Sequence, residues 1–509
     1  PRGRRLRGPD VRVAAGPASS FGNQPALLTL LDEHQEKAVV VAAEPVVRVV
    51  DLGASQAPEV LPLAGIEGQQ ISAVSHALRE SKVAFGTDEG MVWVGSIQLQ
   101  TVFHGTQRTI AASVEPDMAV PAVPGHRITR LAYRETDRRS VIAAVVGDGR
   151  LIVTRITTQR PLAGPVRRSL GSLSVPLEPF GHPTALLMNG PCTQLLVATS
   201  AGLVARWRVP AEGPLELIET VQAVPAGAVL AMTYLIGERS IAVGGSDGSV
   251  ATWSLVRDAA VADGWRLTPI HRFPSHRTGI AVISPSPRDK GFITISTEGA
   301  ARLHYMTSER TLAEWSLGEA PAAADFAPKA DGIVIAGASG TLHHWRVDNP
   351  HPELSWRALF GKLWYEGYDR PEYVWQSTGG ADDFEPKLSL VPLIFGTLKG
   401  TFYALLFAVP LALFGALYCS QFLDKGLRNP VKSSIELMAA LPSVVLGFIA
   451  GVVLAPLVGH HIVAVLSIPV LVPLVTVGGM TACSRIQASA LRAALRRAGT
   501  PPVPPLRSA

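Results

Sequence analysis

Cysteine is nearly missing from this chain: three residues in 509, at positions 192, 419 and 483. They are too few and too far apart for a disulfide framework or a zinc site. A surplus of one charge is missing too. Lys and Arg number 46 against 41 Asp and Glu, a formal net of +5. That balance is too weak and too dispersed for a nucleic-acid partner. There is no Walker-type Gly-rich loop ending in Lys, so ATP hydrolysis has no recognisable seat here. Paired carboxylates, a Ser/His/Asp set and a metal-like cluster do not stand out either. No catalytic, cofactor-binding or metal residues are therefore assigned. No signal peptide or apolar span precedes the first strands, and the start is Pro1. The polar run Arg2, Arg4, Arg5, Arg7 leads to the expectation that the natural start lies upstream.

What is abundant is apolar sequence, 47% of the chain. It falls into two kinds. Short Val- and Ala-rich strands fill residues 25 to 350. Beyond 388 come long uncharged runs: Phe402 to Leu423, Leu437 to Leu457, and Ile462 to Met480. The first two are each long enough to cross about 30 Å of hydrocarbon as a helix. A globular β domain tethered to a membrane module is the expected organisation.

The β part repeats. Ile241 to Trp253, Leu195 to Trp207 and Ile333 to Trp345 each read as strand, Gly-containing turn, strand. The turn glycines are Gly90, Gly149, Gly202, Gly248, Gly299 and Gly340, spaced 41 to 59 residues apart. A tight turn between twisted strands needs positive φ, which Gly adopts without penalty. A seventh unit runs from Val39 to Asp51, with Glu44-Pro45 in place of the glycine. Repeats of this length with four strands each predict a β-propeller of seven blades over 25–350. The units resemble WD-type repeats, although the Trp-Asp dipeptide is absent. A pair of β-sandwiches is the competing reading.

Within this domain the polar residues read as structure. Asp88, Glu89, Asp148 and Asp247 adjoin turn glycines and suit turn chemistry. His343 and His344 should face opposite sides of one strand and cannot share an ion. His304, Trp207, Trp253 and Trp345 read as packing. A recognition platform is the default role for such a domain.

Residues 351 to 388 form an aromatic linker. Trp356, Leu359, Phe360, Leu363 and Trp364 fall on one face of a helix. With Tyr365, Tyr368, Tyr373 and Trp375 nearby, 353–367 is expected to be an interfacial helix leading to the membrane. A surface helix packed on the propeller is the alternative. Residues 389–482 then hold about three spans, a helical core, and 483–509 form a basic, Pro-rich tail expected to be disordered. The first span is expected from Val391 to Phe422. Lys425, Arg428 and Lys432 follow it, and Arg485, Arg492, Arg496 and Arg497 lie two spans further on. Basic flanks mark the cytoplasmic side, so the propeller is expected outside. Glu436 is placed at the start of the second span, where the helix dipole favours an acid. A carboxylate so close to a membrane core is also a functional candidate, together with Pro442 and Ser443. Ala439, Ala440, Ser443, Gly447 and Gly451 permit close helix packing.

Tyr373 to Leu398 is similar to the entrance of the first core span in phosphate ABC-transporter permeases. Ile435 to Ser443 looks like that family's segment at the start of the next helix, and Ala408-Val-Pro410 agrees. A large β domain ahead of the spans resembles a long-form branch. The resemblance, over residues 373 to 457, implies part of an ABC importer permease in a bacterial inner membrane, surrounded by lipid. It further implies a second permease subunit, a separate ATP-binding subunit and a periplasmic phosphate-binding protein as partners. The family's coupling loop, Glu-Ala-Ala followed by Gly, is not found. The pattern departs after residue 480, and the chain is expected to be truncated at both ends and inactive in transport. A membrane-anchored propeller acting as extracytoplasmic sensor or scaffold is the alternative function.

Overall fold

The six turn glycines do what their spacing requires: each sits at φ between +76° and +86°. At each, the chain reverses between two antiparallel strands. The structure is a computed structural model. It describes residues 11–497, apart from 54–55, 106, 160–166, 178–179, 382 and 440–441. The N-terminal arginines, Ala440 and the tail beyond 497 lie outside the described residues.

One sheet illustrates the repeat: Val229–Tyr234, Ser240–Gly245, Val250–Arg257 and Trp265–Phe273, each pairing antiparallel with the next. Seven such sheets follow one another, making a seven-bladed propeller. The second strands are buried along their whole length, as in Ser240–Gly245, Gly291–Ser296 and Gly332–Gly337. Both of their faces are covered, which is why they read as continuous small and apolar runs rather than as alternation. The Val39 to Asp51 unit lies in the first blade, within strands Lys37–Val41 and Val46–Asp51.

Ring closure departs from the sequence reading. Arg12–Ala15 pairs with Thr341–Asp348, in the register Arg12↔Asp348 to Ala15↔Trp345, and Ser19–Ser20 pairs with the same strand. Part of the segment read as an N-terminal arm, 1–24, is thus the outer edge of the last blade. The strand is only four residues, Arg-Val-Ala-Ala, and its partner lies more than 300 residues away, so no local pattern marks it.

The linker also differs. Its helix, α1, is only Trp356–Phe360, capped by the Ser355 hydroxyl and closed by the Gly361 N–H on Arg357 O. Gly361 breaks the apolar period, and Leu363 then pairs with Glu372 in a short bridge. Ala358, Leu363 and Tyr365 are buried, and Trp364 packs against the cluster of Leu235, Phe273 and Phe292 in the propeller. Trp356, Tyr373 and Trp375 remain exposed.

Among the described residues five helices follow: α2 (Val391–Gln421), α3 (Lys425–Ala439), α4 (Ser443–Ile449), α5 (Ala455–His460) and α6 (Ile462–Arg497). A π-helical stretch, Ala450–Leu454, joins α4 to α5. Among the described residues two stretches are long and apolar enough to cross a membrane, α2 and Ser443–His460. A third would be α6, which bends by 45° between Ile468 and Val470. The second apolar run therefore starts at Ser443, not Leu437, because Pro442 separates it from α3. Helix α6 continues to Arg497, so 483–497 is helical rather than disordered. The chain divides into two compact units, 1–399 and 400–509.

Candidate functional site

The three positions singled out in the sequence lie on two helices. Glu436 is in the last turn of α3, exposed, with Lys432 Nζ 3.9 Å from its carboxylate. It does not open the second span. At a helix C-terminus the dipole disfavours an acid, so N-terminal capping does not explain it. Pro442 sits just ahead of α4 at φ −58° and ψ 120°, and its carbonyl accepts the Val445 N–H at 3.0 Å. Ser443 is the first residue of α4. All three are solvent-exposed. A Cβ added at Gly447 or Gly451 would meet nothing within 4 Å. These are open helix surfaces suited to packing against another helix, and they carry no set of reacting groups.

A second constellation had no signal in the sequence. Lys290, on the propeller, donates from Nζ to Glu366 Oε2 at 2.5 Å and to Ile236 O at 2.6 Å. Both side chains of the pair are almost wholly buried, at 1% and 6% exposure. Glu385 accepts the Glu366 N–H at 3.1 Å and the Thr307 hydroxyl. Burial, and then repulsion from Glu366, push its carboxyl above the usual range. The Lys387 ammonium lies 5.1 Å from the ring centre of Phe384, 5.7 Å from Tyr365 and 5.9 Å from Tyr368. It also donates to Gln376 Oε1 and Glu385 O, both at 3.3 Å. Two further bonds finish the junction: Ser389 N–H to Val374 O at 3.0 Å, and Leu390 N–H to Leu359 O at 2.8 Å. Helix α2 begins at the next residue. The cluster thus bolts the linker to the propeller up to the first turn of α2. Its partners are 76 and 78 residues apart in sequence, so spacing could not reveal them.

The first strand of each blade lines a central channel whose polar residues include Ser75, His76, Arg134, Tyr234, Ser284 and Asp325. One mouth is a cavity of about 620 Å³ edged by Asp32, Arg79, Glu80 and Arg288. Arg134 pairs with Glu238 at 2.5 Å and with Glu80 at 3.8 Å. Asp325 accepts the Leu31 N–H at 3.3 Å across the seam between last and first blades, and burial pushes its carboxyl up to about 7.

The remaining candidates are structural. Asp88, Asp148 and Asp247 accept backbone N–H groups of Gln70, Arg150 and Ser249. His343 bonds Glu319 at 2.6 Å, while His344 bonds Gln35 at 3.0 Å in another direction. His304 is buried in a chain His276–Thr294–His304–Thr311 of hydroxyl and imidazole bonds at 2.8 to 3.1 Å. Burial lowers these two histidines to about 4 and about 3, so both are neutral. Trp207, Trp253 and Trp345 are core residues. Among the described residues no group of His, Cys, Asp and Glu could hold a metal ion.

No family model matches the chain. It is 32% identical over 111 residues to the probable ABC transporter permease protein YqgH of Bacillus subtilis, covering 20% of this chain and 36% of that protein. It is 39% identical over 77 residues to the phosphate transport system permease protein PstC 1 of Mycobacterium tuberculosis, 15% of this chain and 23% of that one. Over 74 residues it is 35% identical to PstC of Pasteurella multocida, 14% of this chain and 23% of the relative. The chain thus spans about a quarter to a third of the length of these relatives. Among solved structures it is similar to the β-propeller domain of Myceliophteria thermophila Cps50 (Swd1), at 11% identity and a TM-score of 0.48, over 66% of this chain and all of that one. The apolar helices and the permease similarity together mark a membrane protein with a permease-like part and a seven-bladed propeller.

Proposed function

We propose that the chain is part of the permease subunit of a binding-protein-dependent ABC importer for inorganic phosphate. The observation that carries this reading is the 32 to 39% identity to ABC and phosphate permeases. It is supported by two helices of spanning length and by the open, small-residue surfaces of α4 and the π stretch. Glu436, Pro442 and Ser443 are the positions offered for contact with other permease helices. A second permease subunit, an ATP-binding subunit and a periplasmic phosphate-binding protein complete the assembly in an inner membrane. Labelled-phosphate uptake tests this in cells lacking their own transporter, with the gene supplied alongside its partner subunits. Uptake that is the same with and without the gene overturns the reading.

Lys425, Arg428 and Lys432 all lie on α3, directly after the first span. Basic flanks resist translocation, which supports an extracytoplasmic propeller. Alkaline phosphatase fused after Val347 should be active, and an inactive fusion reverses the orientation.

A second reading, a propeller acting as sensor or scaffold, is favoured by one observation. The junction around Lys290 and Glu385 fixes the linker to the propeller rather than leaving a free tether. Co-purification of an ATP-binding subunit supports the importer. Extracytoplasmic partners alone support the scaffold.

A further inference from the structure

Helix α3 is joined to both candidate spans by short connectors. Three residues separate it from the end of α2, and three from the start of α4. With both stretches crossing the membrane, each end of α3 is held within about 14 Å of a span end. Both span ends lie on the same side, because α2 leaves the bilayer there and Ser443–His460 returns. A helix of 15 residues, about 22 Å long, is thereby laid along the surface. Its faces differ. Leu427, Val431, Ile435 and Met438 are spaced i, i+4, i+8, i+11 and form one apolar stripe. Lys425, Arg428 and Lys432 are spaced i, i+3, i+7 beside that stripe, with Gly426, Ser433 and the lone apolar Leu437 away from it. Leu427, Ile435 and Met438 are more than half exposed within this chain.

We propose that α3 is an interfacial helix that seats its apolar stripe among acyl chains and binds anionic lipid headgroups through its basic stripe. This rests on the membrane reading above. The charges set how strong the preference is. Arg428 already donates to Ser420 O at 2.9 Å, at the end of α2, and Lys432 lies 3.9 Å from Glu436. Asp424 precedes the helix. Lys425 is the cation placed to meet a headgroup phosphate, at the end nearest the first span. One cation at an anionic surface gives a preference of about fivefold. Long basic side chains beside an apolar stripe reach the headgroups while their stems stay in the apolar layer.

The test uses the full chain in vesicles of phosphatidylcholine with and without phosphatidylglycerol. A thiol-linked bimane is placed at Ile435→Cys or Ser433→Cys in a Cys419→Ser, Cys483→Ser background; Cys192 is fully buried. Dye at 435 should be quenched by brominated acyl chains and shielded from iodide, and dye at 433 the reverse. Brominated phosphatidylglycerol should quench at 435 with about fivefold preference over brominated phosphatidylcholine. Lys425→Gln combined with Arg428→Gln and Lys432→Gln should bring that ratio to one while quenching by phosphatidylcholine persists, which shows that the helix is still seated. Equal iodide access at both positions overturns the proposal. So does a dye at 435 shielded from iodide and lipid alike, since a protein partner then covers the stripe. An absent lipid preference overturns the headgroup claim. Failure of the chain to float with the vesicles instead overturns the membrane reading.

Discussion

Replacing Lys290 by Met removes the cation from a buried pair and leaves two neighbouring carboxyls, Glu366 and Glu385, without it. An uncompensated charge is then left in a desolvated site. Deleting one partner of a buried ion pair costs about 3 to 5 kcal/mol. The loss falls on the linker, which Glu366 and Glu385 hold against the propeller. Hydrogen exchange of the Leu363, Glu366 and Ser389 amides reads it directly, since their partners lie within this junction. Protection should drop about a thousandfold, the equivalent of about 4 kcal/mol. The Lys290→Met, Glu366→Leu double variant removes both charges and should recover most of the protection. Protection unchanged by Lys290→Met, or single effects that simply add in the double variant, would refute the account.

Three further outcomes follow from the propeller. A Cβ at Gly340 would stand 1.7 Å from Gly22 O, whereas one at Gly149 would meet nothing within 4 Å, and both residues have φ near +85°. Gly149→Ala should cost about 1 kcal/mol and Gly340→Ala at least about 1 kcal/mol more, read from urea midpoints; equal losses would show that the contact is not felt. Asp325 has a folded pKa of about 7 against about 3.9 when unfolded, so the native state holds its proton more tightly. Its contribution to stability is present below about pH 4 and is lost as pH rises to about 7, and Asp325→Asn should remove that slope. An unchanged slope in the variant excludes Asp325 as its source. Burial pushes the Cys192 thiol up to about 11, so a thiol reagent should modify it only after denaturant is added; rapid labelling of the native protein at Cys192 contradicts its burial.

The sequence determined the elements that depend on local backbone chemistry. Glycine at fixed offsets imposes positive φ, and those six residues located the hairpins before any contact was known. Uncharged runs of more than twenty residues located α2 and most of the second span, because hydrocarbon admits little else. The polar side chains of the turns and the core tryptophans were legible for the same reason, through their place in the repeat. Tertiary structure alone decided what joins distant parts. Arg12–Ala15 closes the seventh blade because the edge of Thr341–Asp348 needs a partner, and four residues, Arg-Val-Ala-Ala, carry no mark of that task. The period that suggested a helix over 353–367 failed at Gly361, where packing Trp364 on the propeller and burying Tyr365 with Ala358 and Leu363 outweighed helix propensity. Glu436 moved from a helix start to a helix end because Pro442 cannot supply the backbone N–H that would continue α3. The Lys290, Glu366 and Glu385 junction stayed invisible because a buried ion pair is defined by two desolvated groups meeting, and desolvation is a property of the fold.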